Sequence, residues 1–534
     1  MTHKRLFTED SKMGKHVKYA IKCVTFVLLT GFLVGMVNTC LKPKYYYNQM
    51  WPSTNTYLDF YNLDKNSVDV LFLGSSHAMC TFNPQIIYDT YGITSYNLAS
   101  EQQSLVVSYY WLREALKYQT PKVVVLDTYM LYKFGANYVY NDMNCSEGSV
   151  RKAMDGMRPS PLKWEAARTI AQIDPTQSAL SYLFLNIRYH ARWNNLNEDD
   201  FTESSMIEHG GVKGFTTTGG TAPGAVFTPF TTADAADAEA ESMFGTSQVY
   251  LDKITALCAD KGIRLILTNI PCDSSPERYK ATKTYADAHG LPYYDFNEAS
   301  LYSTIAYDAA ENLLSHPNYL GAEKVSRYLG AVLAGEYGIA ARADASYDKS
   351  RAVYTHAVAN ITLTQITDPC EYLNSLQNSA YTIFIFAPKA FSSCISEGLM
   401  NQLFTLGFST ELREIPDSYH YCAVNGPDRA AYDGGHLFVR LYSRRGNSIP
   451  FSYRHLRYGT GGAHLFADRG QHRVRHPSPR SESRCLRQRH KIHCGSGKHQ
   501  YNGPGSAADT LLRPGTSASS PAGKATGLFS LSDC

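Results

Sequence analysis

Two distant segments of the chain carry side chains that could act together. The apolar run Val68-Asp69-Val70-Leu71-Phe72-Leu73 leads directly into Gly74-Ser75-Ser76-His77. This reads as a buried strand delivering a serine and a histidine to its carboxyl edge, where open α/β sheets hold their chemistry. Much later, His316-Pro317-Asn318-Tyr319-Leu320-Gly321-Ala322-Glu323-Lys324 puts a histidine on a loop that runs into an amphipathic helix. A serine hydroxyl is a weak nucleophile until an imidazole takes its proton, so such a pair suits acyl transfer. The same residues also fit a plain structural task, since Gly-Ser-Ser is a common turn and a serine after a strand is often a helix cap.

The elements needed to bring these segments together are written in the hydrophobic pattern. Strands are expected at Val68 to Leu73, Val123-Val124-Val125-Leu126, Arg264 to Ile270 and Pro292 to Phe296. Helices are expected at Leu105 to Lys117, Val249 to Ala259, Pro276 to His289 and Gly321 to Ala334. Continuous apolar strands separated by helices imply a parallel sheet covered on both faces. Residues 132–245 interrupt the alternation, with helices expected around Pro161 to Gln172 and Leu180 to Asn195 and loops over Gly210 to Asp234. An insertion of this length shapes a substrate cleft or packs passively; the pattern is consistent with either.

With these residues in place the chain resembles the SGNH/GDSL hydrolase superfamily. The closer likeness is to its membrane-anchored, extracytoplasmic branch in Gram-positive bacteria, related to D-alanyl-lipoteichoic acid biosynthesis proteins. Residues 66–131 and the segment around His316 carry the likeness. The resemblance implies a flavodoxin-like three-layer α/β sandwich, with Ser76 rather than Ser75 as nucleophile and His316 as general base. It implies oxyanion donors at the Ser76 amide and within Asn97-Leu98-Ala99-Ser100, where Asn97, Ala99 and Ser100 stand and relatives use Gly. Two family blocks are altered. The orienting Asp three residues before the histidine is Leu313, and the Gly-x-Asn after the next strand is Leu126-Asp127-Thr128. Loss of the orienting carboxylate costs a serine protease about 10⁴ in rate. Asp127, Asp308, Glu311 and Asn312 are nearby substitutes, and a backbone carbonyl is another. The α/β-hydrolase elbow does not fit, because Ala78 replaces its second glycine.

The resemblance further implies ester hydrolysis or acyl transfer on cell-envelope or exopolysaccharide glycans, beside a membrane-bound O-acyltransferase. The altered acid position keeps open a different class, a catalytically silent SGNH scaffold that binds envelope glycan. No metal, nucleotide or flavin motif is seen, and no cofactor is expected.

The membrane reading comes from the N-terminus. Cys23 to Leu41 is an uncharged, mostly apolar run of nineteen residues, close to the roughly 20 that cross a bilayer as a helix. Lys4, Arg5, Lys12, Lys15, Lys18 and Lys22 precede it, which places the N-terminus in the cytoplasm and the rest outside. No small-x-small cleavage site follows, so an uncleaved anchor is expected. Tyr45, Tyr46, Tyr47 and Trp51 then suit an interfacial aromatic belt or a packed linker. The 12 cysteines show no repeating framework, and Cys80 and Cys258 fall at core positions.

From about residue 350 to 434 the texture changes to that of a small mixed α/β or β-sandwich module, weakly similar to the interleukin-like EMT inducer domain and a candidate for glycan binding. Beyond residue 434 the periodicity ends. This tail holds 16 Lys and Arg against 4 Asp and Glu, while the preceding chain holds 35 against 44. Such composition cannot build a core, and a shifted reading frame leaves the same signature. The tail offers a basic tether for anionic polymers or a metal site at His490, His493, Cys494 and His499, although that spacing matches no standard zinc set. Its placement outside the membrane argues against nucleic acid as a partner.

Overall fold

The computed structural model describes residues 3–43, 54–133, 142–196, 198–201, 212–220, 228–271, 274–313, 315–377, 381, 383–387, 395–408, 411–414, 421–426, 429–434, 440–442 and 448–450. They fall into two compact units, the first over Met1–Thr367 and the second from Asp368 onward.

The first unit is built on five parallel strands: β1 (Val70–Gly74), β2 (Ser95–Ala99), β3 (Val123–Asp127), β4 (Arg264–Asn269) and β5 (Tyr293–Asp295). Their order is β2-β1-β3-β4-β5, that of flavodoxin-like doubly wound sheets. Successive residues of a strand point to opposite faces, and here both faces are buried. Leu71, Leu73, Val124, Leu126, Leu265 and Leu267 pack with the helices Leu105–Ala115, Gly245–Asp260 and Pro276–Ala288. Val70, Phe72, Val123, Val125 and Ile266 pack with Ser76–Thr81, Pro84–Tyr91 and Tyr319–Gly335. The result is the expected three-layer α/β sandwich, and it explains why these strands read as unbroken apolar runs.

β2 is a strand that hydrophobicity did not announce. Its sequence Ser-Tyr-Asn-Leu-Ala is fully buried, and it is tied to the rest of the fold through the Asn97 side-chain amide and the Ser95 backbone. Asn97 Nδ2 donates to the carbonyls of Ala78 (2.8 Å) and Phe82 (3.0 Å). The exposed edge is closed by Tyr347, whose hydroxyl accepts from the Ser95 amide at 2.8 Å and lies 2.9 Å from its carbonyl. Tyr347 belongs to the helix Ser346–Gln365, so this helix completes the first unit and the boundary falls at Thr367, not near 350.

The insertion contains the helices Glu147–Met154 and Pro161–Ile173. The expected helix at 180–195 is instead broken into Leu180–Leu183, Leu185–Tyr189 and a 3₁₀ turn at His190–Asn195. Within the expected loops, Thr232–Asp237 is helical, with a Thr231–Asp234 capping box. Cys80, Cys145 and Cys258 are buried free thiols.

At the N-terminus a single helix covers His3–Leu41, and its stretch Gly14–Leu41 is long and apolar enough to cross a membrane. The belt residues Tyr45 to Trp51 lie outside the described residues. The second unit contains the helices Pro369–Ser375 and Glu397–Thr405 and an antiparallel sheet of Ile383–Ala387, Tyr421–Gly426 and Arg429–Gly434, a mixed α/β arrangement. In the tail, Arg440–Tyr442 pairs with Ser448–Pro450, while His490, His493, Cys494 and His499 lie outside the described residues.

Gly74 is where the fold leaves least room. Its φ is +152°, and a Cβ added there meets the Cβ atoms of Asp127 at 2.6 Å and Ala78 at 2.8 Å. Neither atom is the end of a flexible side chain, so the backbone must shift. Gly74→Ala is therefore expected to destabilise the first unit by about 1–3 kcal/mol, read as a lower thermal midpoint for the full chain in detergent. An unchanged midpoint contradicts this packing.

Candidate active site

The close packing at Gly74 turns the chain sharply out of β1 into the helix Ser76–Thr81. Ser75 takes the capping role, its Oγ accepting from the His77 amide at 3.3 Å. Ser76, one residue on, is partly exposed and points elsewhere. Its Oγ lies 2.8 Å from His316 Nε2. The two tasks a serine could perform here are thus divided between neighbours.

His316 opens a two-residue strand, His316–Pro317, paired antiparallel with Asn312–Leu313. Asn318 then caps the helix Tyr319–Gly335, accepting from the amides of Leu320 and Gly321 at 3.0 and 3.3 Å. A short strap, residues 212–220, holds both halves of the site. Lys213 O accepts from the Asn97 amide at 2.9 Å, and the Thr216 amide donates to Met79 O at 3.0 Å. On the other half, Thr218 Oγ1 donates to Pro317 O at 2.9 Å and Asn318 Nδ2 donates to Gly220 O at 3.1 Å. Gly214, at φ +84°, lets the strap pass so close to β2 that an added Cβ would lie 2.0 Å from Asn97 O. The Gly- and Thr-rich composition marked this stretch as a loop and gave no signal of its tying role.

Each of the four candidates for orienting the imidazole has another task. Asp127 is buried beneath the turn and accepts from Ser75 Oγ at 3.3 Å. Burial pushes its carboxyl up to about 7, against the lowering effect of hydrogen bonds from the Tyr129 amide and from Ser75. Asp308 caps the turn Ala309–Glu311, Glu311 pairs with Lys324 at 2.6 Å, and Asn312 accepts from the Tyr307 hydroxyl at 2.6 Å. The side chain against His316 Nδ1 is that of Ser315, 3.4 Å away.

His77, next to the serine in sequence, had no assigned role. It is fully buried, with its ring 4.7 Å from that of His316 and 3.6 Å from that of Tyr129 between centroids. Burial lowers its pKa well below the usual histidine range, the nearby His316 adds to this, and a hydrogen bond with the Ser315 backbone opposes it. Burial also lowers His316 to about 4. Both rings are therefore neutral at pH 7, and Nε2 of His316 is free of charge beside a hydroxyl. Forming the imidazolium there is about 3 kcal/mol harder than in an exposed histidine.

Among the oxyanion candidates, Asn97 is removed. Its side-chain amide and its backbone N–H serve Ala78, Phe82 and Lys213 as described above, so it is a structural tie. Ala99 closes β2 directly opposite Gly74. The amides of Ser76 and Ser100 therefore follow adjacent strand ends at the same sheet edge. The Ser100 hydroxyl accepts from Tyr57 at 2.7 Å.

If His316 accepts a proton during turnover, kcat/KM for an ester holds as the pH falls and drops only near pH 4. Leu313 stands directly across the strand pair from His316, on the same face. Leu313→Asp places a carboxylate beside the ring, favours the imidazolium and raises its pKa. The acid limb is then expected to move up by one unit or more. A limb near 6.5 in the wild type, or no shift in the variant, contradicts this electrostatic account.

Neither a protein-family model nor a curated protein matches the sequence. Two solved structures from Bacteroides species are similar to it. One is a proposed acylhydrolase from Bacteroides fragilis NCTC 9343, with 11% identity over 54% of this chain and 98% of that one and a TM-score of 0.25. The other is a GDSL-like lipase from Bacteroides thetaiotaomicron VPI-5482, with 12% identity over 53% and 96% of the two chains and a TM-score of 0.24.

Proposed function

We propose that the chain is a membrane-anchored serine esterase or O-acyltransferase of SGNH type, acting outside the cytoplasmic membrane on acyl esters of cell-envelope or exopolysaccharide glycans. The observation that carries the chemistry is the 2.8 Å contact between Ser76 Oγ and His316 Nε2. Location and substrate class rest on the N-terminal helix, its preceding basic residues and the resemblance of the motifs.

In this reading Ser76 Oγ attacks the ester carbonyl while its proton passes to His316 Nε2. The oxyanion is met by the amides of Ser76 and Ser100. Collapse breaks the ester C–O bond, and the imidazolium returns its proton to the leaving alcohol, leaving an acyl group on Ser76. Water or a sugar hydroxyl then attacks the acyl-enzyme, gives its proton to His316 and restores Ser76. A membrane-bound O-acyltransferase is a suitable partner where transfer is the outcome.

With its pKa near 4, His316 is a weak base at neutral pH, which favours slow turnover. Leu313 in the orienting position also favours the rival reading, a glycan-binding scaffold without turnover.

Hydrolysis of p-nitrophenyl acetate by the full chain in detergent separates the two. The enzyme reading predicts activity that Ser76→Ala abolishes and that His316→Ala lowers by about 10²–10⁴-fold. Wild-type activity no greater than that of Ser76→Ala supports the scaffold instead.

A further inference from the structure

Outside the N-terminal helix, nine large apolar side chains are exposed among the described residues: five of them, Leu180, Phe184, Ile187, Trp193 and Phe201, fall within residues 180–201. Trp193 is 72% exposed and Phe201 68%. So much exposed aromatic surface in one short segment of a soluble domain marks an interaction site.

The same segment grips the end of the apolar helix. The helix Leu185–Tyr189 and the turns His190–Asn195 and Glu198–Phe201 all pack against His3–Leu41. The Asn186 amide donates to Asn38 Oδ1 at 3.1 Å. Arg192 donates to the carbonyls of Leu41 and Lys42 at 2.9 and 2.8 Å, satisfying acceptors that a helix end leaves open. Asp200 holds the same guanidinium at 2.5 Å.

These contacts fix the segment's height relative to the bilayer. At 1.5 Å per residue the uncharged run Cys23 to Leu41 is about 28 Å long, close to the roughly 30 Å hydrocarbon thickness. Leu41 and Lys42 then lie at the lipid boundary, and so do the groups that hold them. Trp and Phe are suited to that boundary because their rings are apolar or amphipathic.

We propose that residues 180–196 and 198–201 form a collar seated in the interfacial region of the membrane, with Phe184, Ile187, Trp193 and Phe201 among the lipid headgroups and upper acyl chains. The collar turns the anchor from a loose tether into a fixed mount for the first unit. The inference rests on the reading of the N-terminal helix as a membrane span, but it does not depend on the esterase chemistry.

The test uses the full chain reconstituted in phosphatidylcholine–phosphatidylglycerol vesicles whose acyl chains carry bromine near the headgroup. Tryptophan fluorescence is compared between the wild type and Trp193→Ser, an exposed position whose change leaves the core intact. The expected result is bromine quenching in the wild type and a clear loss of quenched signal in the variant. Equal quenching in both, with the protein still floating with the vesicles, overturns the collar and leaves the anchor standing. Failure to float after carbonate extraction overturns both.

Discussion

In a parallel sheet every strand ends on the same edge, and here that edge is where the candidate site residues gather. Because both faces are buried under helices, the strand ends are the positions at which polar side chains can emerge. Ser76 follows β1, Ser100 follows β2 and Asp127 closes β3, three adjacent strands in register. His316 comes from 240 residues away in the chain, and its loop is held to this edge by the strap of residues 212–220. The site is thus an outcome of sheet topology plus one tie.

Burial shapes the chemistry of that site in two opposing ways. It keeps His316 neutral and able to accept a proton, and it also makes the imidazolium costly to form. A carboxylate across from the ring would offset that cost, but Leu313 stands there. His77 contributes a second neutral ring packed against the first, together with contact to the Ser315 backbone. Asp127 supports the turn after β1 through Ser75, beneath Ser76. The arrangement is well ordered on the hydroxyl side and poor in charge on the imidazole side.

Much of this was legible in the sequence, for a physical reason. Val123 to Leu126 and Arg264 to Asn269 had to be apolar throughout, because each is covered on both faces. Ser76 and His316 could be picked out because each follows a regular element or opens one. β2 was not legible: Ser95 and Asn97 are polar, and what holds the strand in place is tertiary, the Asn97 amide on Ala78 and Phe82 and the Tyr347 hydroxyl on the Ser95 backbone. The boundary at Thr367 was hidden in the same way, because the helix Ser346–Gln365 is tied to the first unit by Tyr347. Nearness in sequence also misled. Asp308 and Glu311 lie close to His316 along the chain, yet one caps a local turn and the other meets Lys324. The collar around Trp193 was read as ordinary helix, since nothing local marks which apolar side chains stay exposed.

The central claim is that Ser76, and not its capping neighbour Ser75, is an activated nucleophile. Peptide mapping by mass spectrometry after treatment with a fluorophosphonate tests it most directly. The account predicts one adduct per chain, located on Ser76 and absent from Ser76→Ala. An adduct on Ser75, or none on a folded wild-type chain, would contradict it.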